Sequence, residues 1–249
     1  MRVVLTAMNC PKGDLAGNLA AHRATLTDAA ALGADLVVFP EFSLTGSVDP
    51  VANPHHLIPL EHPVVDALVG ATAEVGAVFG LAERDGDGRF ITQVAACDGA
   101  LAAVQRKRHL GQDEDSYSTG SATTVFRVAD RTCGMVICAE AGVDWTWDAC
   151  VRAGADVIFL CAAPGLYGRR TDADSWRAGL DWWQGSGLRD ARRQAQRLSV
   201  WVAMSTQAGS TTDEDFPGLA ALISPSGEVL ERATDWRQGR LLAEIPLRW

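Results

Sequence analysis

The sequence predicts a layered α/β fold with mixed β-sheets. Helix-type and strand-type segments alternate along the whole chain. Several strands are continuous apolar runs of the kind buried on both faces, and a clear antiparallel hairpin interrupts them. Arg2–Met8 is apolar and β-branched and reads as a buried strand. Asp14 can cap a helix reaching about residue 32, and Gly33 ends it. Residues 35–39 form a second buried strand, closed by Pro40. A helix is expected over 63–75 and a strand over 77–81. Residues 90–97 and 100–107 flank Asp98-Gly99, a strong hairpin signal. Strands over 124–128 and 132–138 surround a polar turn at Asp130-Arg131. A helix over 145–153 leads to a buried strand over 156–161. The arginine-rich stretch 189–198 reads as a helix before a strand over 200–205. Strands over 219–224, 229–232 and 240–245 close the pattern. One echo links two helix–strand junctions: Gly33-Ala34-Asp35-Leu36-Val37 and Gly154-Ala155-Asp156-Val157-Ile158. It is either a common helix stop or a sign of two pseudo-symmetric halves.

Composition narrows the function classes. The 249 residues are 47% hydrophobic and 21% charged, which describes an ordinary globule able to bury a core without staples. Lysine and arginine total 22 against 31 aspartates and glutamates, a net charge of −9, so no field for nucleic acid or an anionic membrane is expected. No linker or low-complexity tract divides the chain, and one domain over residues 1–249 is expected. The first residues lack the pattern of a secretory signal and no apolar run is long enough to span a bilayer, so a cytoplasmic location is expected. The six cysteines are irregularly spaced, with no C-x-x-C and no histidine beside a pair, so neither a disulfide scaffold nor a metal site is expected. No G-x-S-x-G, G-x-G-x-x-G, Walker A or H-E-x-x-H motif is present. Of the histidines, His22 reads as a surface residue within a helix, and His55, His56 and His62 as solvated loop residues.

Three polar residues stand where predicted strands end, the usual place for sites in α/β sheets. Glu41 follows Phe39-Pro40, Lys107 closes the hairpin, and Cys138 ends Gly134-Met135-Val136-Ile137. Singly, each has a plain reading: a loop carboxylate, a solvated basic turn, a core thiol. Together they offer a base, a cation and a nucleophile, with the cation lowering the thiol pKa and holding a developing oxyanion. The lysine is distinctive because the chain uses arginine for all but Lys12 and Lys107 of its 22 basic residues.

The wording around these residues resembles the nitrilase superfamily of carbon–nitrogen hydrolases, in its amidase-like branch. Phe39-Pro40-Glu41-Phe42-Ser43-Leu44-Thr45-Gly46 is similar to that family's first glutamate motif. Arg106-Lys107-Arg108-His109-Leu110 is similar to its lysine motif, and Gly134-Met135-Val136-Ile137-Cys138-Ala139-Glu140 to its cysteine motif. Three motifs in order over nearly the whole chain make the resemblance specific. It departs where Ala139 replaces the usual aromatic after the cysteine and Gly142-Val143-Asp144-Trp145 replaces Phe-Pro-Glu.

The resemblance implies a four-layer α-β-β-α sandwich with two mixed sheets. It also implies a Glu41-Lys107-Cys138 triad with a second acid, assigned to Glu114 with Asp113 as the fallback. The reaction it implies is hydrolysis of a small carboxamide through a thioester, with the Ala139 backbone N–H helping Lys107 at the oxyanion and no cofactor or metal. An N-carbamoyl amidase, a nitrilase and a non-catalytic binding protein are the alternatives. A homodimer or larger assembly is expected, supported by tryptophans in and after the cysteine region. Half or more of Trp145, Trp147, Trp176, Trp182 and Trp183 are expected in the core or at subunit contacts, and one or two at the pocket wall. Lys107→Arg is expected to slow turnover while leaving stability almost unchanged.

Overall fold

The computed structural model describes residues 1–233 and 238–246. β1 (Arg2–Met8), β2 (Leu36–Val38) and β3 (Gly76–Asp85) lie side by side in parallel. Helices α1 (Leu15–Ala31) and α2 (Pro63–Gly70) carry the chain back between them. Asp14 caps α1 by accepting the Gly17 N–H, as expected of an aspartate there. β4 (Gly88–Cys97) and β5 (Ala100–Arg106) add the antiparallel hairpin, and Asp98 and Gly99 both take the positive φ that such a turn requires.

The second half repeats the plan. β6 (Val125–Val128) pairs antiparallel with β7 (Arg131–Ile137), and β7, β8 (Val157–Ala162) and β9 (Trp201–Ser210) run parallel. Their connections hold α3 (Asp144–Arg152), α4 (Ala173–Trp183) and α5 (Arg189–Leu198). The echoed junctions are structurally equivalent. The Asp35 carboxylate accepts the Arg2 N–H at 2.7 Å, and the Asp156 carboxylate accepts the Thr132 N–H at 2.9 Å. Each aspartate's own N–H bonds the carbonyl of that same neighbour. This favours the pseudo-symmetric reading of the echo.

β10 (Asp215–Pro217) and β11 (Ala220–Ile223) pair antiparallel with β9, β12 (Val229–Ala233) with β11, and β13 (Gly239–Glu244) with β1. Two separate sheets were expected. The hydrogen bonding instead runs through both halves, but it is pinched where β1 meets β9 at only Ala7↔Thr206 and Met8↔Gln207. The apolar faces follow the alternation of side chains along each strand. Val3, Leu5, Leu36 and Val78 of the first half share one cluster with Met135, Val157, Phe159 and Ala203 of the second. Val4, Val37 and Phe79 point the other way, against Leu26 of α1 and Leu68 of α2. Ile158, Leu160 and Val202 likewise face Trp147 of α3 and Ala191 and Ala195 of α5.

Two helical segments and one histidine differ from expectation. α2 stops at Gly70, a poor helix former, and the Thr72 hydroxyl bonds the Val69 carbonyl at 2.7 Å. The glycine-interspersed tryptophan stretch, unassigned from sequence, forms α4 and runs through a wide helical turn (Gln184–Leu188) into α5. A Cβ at Gly187 would lie 2.5 Å from the Trp183 ring, so glycine there makes room for the indole. His22 is fully buried, because its ring fills a gap against Phe39 at 4.1 Å between centroids.

Candidate active site

Three strand ends converge at one edge of the pinch. β2 ends at Val38; Pro40, which has no N–H to extend the ladder, follows two residues on, and the chain turns through Glu41 and Phe42. Inside the turn Ser43 Oγ accepts the Gly80 N–H at 3.0 Å and contacts His22 Nε2 at 3.0 Å. His22 Nδ1 sits 2.6 Å from the Asn18 carbonyl, which assigns the proton to Nδ1 and leaves Nε2 to accept from Ser43. Burial lowers the His22 pKa to about 4, against a smaller opposing effect of the Asn18 bond, so the ring is neutral at neutral pH. Gly46 closes the turn at φ +73°, and a Cβ there would fall 2.5 Å from the Lys12 Cα.

Lys107 follows β5. Its backbone N–H bonds the Ile91 carbonyl at 2.8 Å and its side chain is 0% exposed, so the solvated-turn reading fails. Nζ donates to Glu41 Oε1 at 2.8 Å and to Glu114 Oε1 at 2.5 Å. Glu114 Oε2 also accepts the Gly111 N–H at 2.5 Å. Of the two candidates for a second acid, Glu114 is the one that meets Lys107, and Asp113, the fallback, is exposed at the rim. Cys138 follows β7 in the left-handed region, with φ +44°, a backbone state that costs a non-glycine residue roughly 1–2 kcal/mol. Phe42 (φ 56°) and Tyr167 (φ 55°) are similarly placed, and all three line the same cavity. Strain of this kind concentrates at functional sites.

The electrostatics follow from burial. Glu41 accepts the Ala163 N–H at 2.9 Å through Oε2. Burial raises its pKa, with Lys107 pulling the other way. Burial alone would lower Lys107, but Glu41, Cys138 and Glu114 outweigh it and hold the ammonium above the ordinary lysine range. Cys138 corrects an expectation. Burial and the Glu41 charge push the thiol well up, and Lys107 only partly offsets them. The resting group is a thiol rather than a thiolate.

Sequence reasoning missed one further cluster. Glu140, 0% exposed, accepts the backbone N–H groups of Arg108 at 2.6 Å and Ile137 at 2.9 Å. The Arg108 guanidinium grips the same carboxylate at 3.2 Å through both Nε and Nη2. Glu140 thus ties the residue after Lys107 to the residue before Cys138. An acidic residue two positions past the cysteine was the available signal.

A cavity of about 520 Å³ opens above these groups. Glu114, Cys138 and Ala139 reach its lining, and Tyr117, Trp182 and Trp183 supply aromatic walls. Trp147 is instead fully buried, and Trp145 is half-exposed beside the Arg108 guanidinium. Among the described residues, no group of three or more His, Cys, Asp or Glu is arranged to hold a metal ion. Nor is any described helix long and apolar enough to cross a membrane. A thiol, a carboxylate and a buried ammonium beside an open cavity can support attack on a polarised carbon.

The carbon-nitrogen hydrolase family model matches residues 2–248. The chain belongs to that family. This carbon-nitrogen hydrolase is 23% identical over 268 residues to a glutamine-dependent NAD(+) synthetase of Xylella fastidiosa (strain Temecula1 / ATCC 700964), covering 100% of this chain and 46% of that protein. It is also 30% identical over 138 residues to a cyanide hydratase of Armillaria gallica, covering 49% of this chain and 39% of that protein. The chain therefore spans less than half the length of the synthetase it matches. An amidase from Nesterenkonia sp. shares the fold, with a TM-score of 0.83, 20% identity, and coverage of 99% of this chain and 90% of that one.

Proposed function

We propose that this carbon-nitrogen hydrolase is an amidase that cleaves a small carboxamide through a Cys138 thioester. The observation that carries the reading is the convergence of Glu41, Lys107 and Glu114 beside the Cys138 thiol, which with Glu114 lines the cavity. As Sγ attacks the amide carbon, Glu41 takes the thiol proton and a C–S bond forms. A lysine ammonium has three N–H donors. Two go to Glu41 and Glu114, which leaves one for the carbonyl oxygen as it becomes an oxyanion. The Ala139 backbone N–H, next in the chain and at the cavity lining, is the second donor.

Collapse breaks the C–N bond, and Glu41 returns its proton to the departing amine. Water then gives a proton to Glu41 and its oxygen to the thioester carbon. The C–S bond breaks, the carboxylic acid leaves, and Sγ regains the proton. Glu41's raised pKa suits a group that must both accept and release a proton in each half-reaction. Glu114 holds the lysine from its other side. The names of the relatives, an amidase, a glutamine-dependent synthetase and a cyanide hydratase, support nitrogen-bearing small substrates without choosing one.

The test is ammonia release from a panel of carboxamides, N-carbamoyl compounds and nitriles, with Cys138→Ala beside the natural protein. Amides are expected to react, with an acyl adduct on Cys138 visible by mass spectrometry. Reaction only with carbamoyl compounds or nitriles would move the assignment to those classes, and activity surviving in Cys138→Ala would overturn the mechanism. The homodimer or larger assembly belongs to the same proposal, supported by half-exposed Trp145. Light scattering that gives a stable monomer at micromolar concentration would overturn it.

A further inference from the structure

The charges around the cavity point to a substrate class, an inference that rests on the amidase reading. Four carboxylates line the cavity: Asp49, Asp113, Glu114 and Glu214. Lys12 is the lining cation among the described residues, and it is already committed. Its Nζ pairs with Asp213 at 3.0 Å and Glu214 at 3.4 Å. Below the rim, Lys107 is shared between two glutamates. Among the described residues no arginine lines the cavity, although arginine makes up 20 of the chain's 22 basic residues. Arginine, with its planar fork, is the usual partner for a substrate carboxylate.

The aromatic walls add to this bias. Tyr167 is 77% exposed and Trp182 45%, so both rings offer their surfaces near the Asp113 rim. An aromatic face attracts a cation through its quadrupole. Trp183 contributes a buried indole N–H with no protein acceptor among the described residues, which adds a neutral donor and no charge. The same charges act on two phenols. Burial and then Asp113 and other acidic neighbours raise the Tyr167 pKa. Burial and then Glu41, Glu114 and Asp49 raise that of Tyr117, more than Lys107 lowers it.

We infer that the site prefers carboxamides whose far end carries a cation, such as an alkylammonium group, and rejects those ending in a carboxylate. The amide end reaches Cys138 and Lys107. The cationic end lies against Asp113 and the Tyr167 and Trp182 rings. An anionic end would meet Asp113 and the other lining carboxylates, with no arginine among the described residues to receive it. That is discrimination by repulsion as well as by attraction.

A matched series tests the inference: 6-aminohexanamide, hexanamide and the monoamide of adipic acid. Turnover is measured on the natural protein, and binding by calorimetry on Cys138→Ala. The amine-ended amide is expected to exceed the acid-ended one at least tenfold in kcat/KM and in affinity, with the ratio shrinking as salt is added. Asp113→Lys should lower that ratio severalfold. Equal or better binding of the acid-ended amide, or a ratio untouched by Asp113→Lys, overturns the inference. Hydrolysis of hexanamide with no charge preference overturns it while leaving the amidase reading intact. Absence of binding by all three compounds overturns both.

Discussion

Lys107 and Arg108 are neighbours in sequence, both buried and both paired with glutamate, yet they sit in different kinds of site. The Arg108 guanidinium is nearly saturated. It contacts both oxygens of Glu140, the Thr123 hydroxyl at 2.7 Å and the Met135 carbonyl at 3.4 Å. Its glutamate is sealed from solvent and also accepts two backbone N–H groups. The Lys107 ammonium touches two carboxylates, one of them 20% exposed at a cavity, and shares the space with a thiol. Adjacent residues leaving a strand point to opposite sides, so one strand end serves both a site and its foundation. The contrast is between an ion pair whose donors are spent almost entirely on fixed protein groups and one that leaves a donor beside a thiol.

The sharpest way to break the contrast is to remove the thiol beside Lys107. Cys138→Ala should lower amide turnover by on the order of 10⁴-fold or more, with melting temperature nearly unchanged because a small, half-buried side chain is lost. Residual ammonia release close to the natural rate would mean that the lysine cluster is as inert as the arginine one.

Lys107→Arg comes next. A misplaced oxyanion contact should cost turnover on the order of 10²–10³-fold. The structure corrects the expectation that stability would be untouched. The ammonium is fully enclosed, and a broader guanidinium would overpack the space at about 1–3 kcal/mol. Urea denaturation and turnover on one preparation decide the matter. An unchanged denaturation midpoint would count against the enclosure.

Glu140→Gln sharpens the other side of the comparison. An amide in place of the carboxylate presents N–H where Arg108 and the backbone also present N–H. The loss should approach the roughly 3–5 kcal/mol of a broken buried pair. Turnover should fall in the surviving folded protein, because Ile137 and Arg108 no longer hold Cys138 and Lys107 in register. A stability change below about 0.5 kcal/mol, the size of an ordinary surface substitution, would show that Glu140 carries no load.

A pH profile separates the clusters without mutation. Protonated Glu41 cannot accept the thiol proton, so kcat/KM should fall as pH is lowered through its raised pKa, above the ordinary glutamate value of about 4.3. The sign for stability is opposite. A raised carboxyl pKa means that the folded state holds the proton more tightly, so this group's contribution is present at low pH and is lost as pH rises through the raised value. A rate profile flat down to the ordinary glutamate range would remove Glu41 as base.

The smallest effect is expected at an exposed pair. Arg193 and Asp144 meet at 2.8 Å but are 43% and 52% exposed. Arg193→Ala should change stability by less than about 1 kcal/mol and leave turnover alone. A larger loss would erase the distinction between buried and exposed pairs on which the comparison rests.

Much of the fold was legible in the sequence because strands and turns are local events. Val3 to Met8 is apolar whatever it packs on, and Asp98-Gly99 makes its turn from two residues. The ordered glutamate, lysine and cysteine motifs were readable in the same way. Tertiary structure decided what happens to polar side chains. Lys107 looks like part of a basic turn until Glu41, 66 residues away, is folded onto it. His22 reads as a surface residue until Ser43 and Phe39 close over it. The thiol's raised pKa, the pinch between β1 and β9, and the Glu140 tie across 32 residues likewise depend on distant chain segments meeting. Periodicity and turn chemistry act over a few residues and are written in order along the chain. Burial and charge depend on which remote groups arrive at the same place, and only the folded arrangement specifies that.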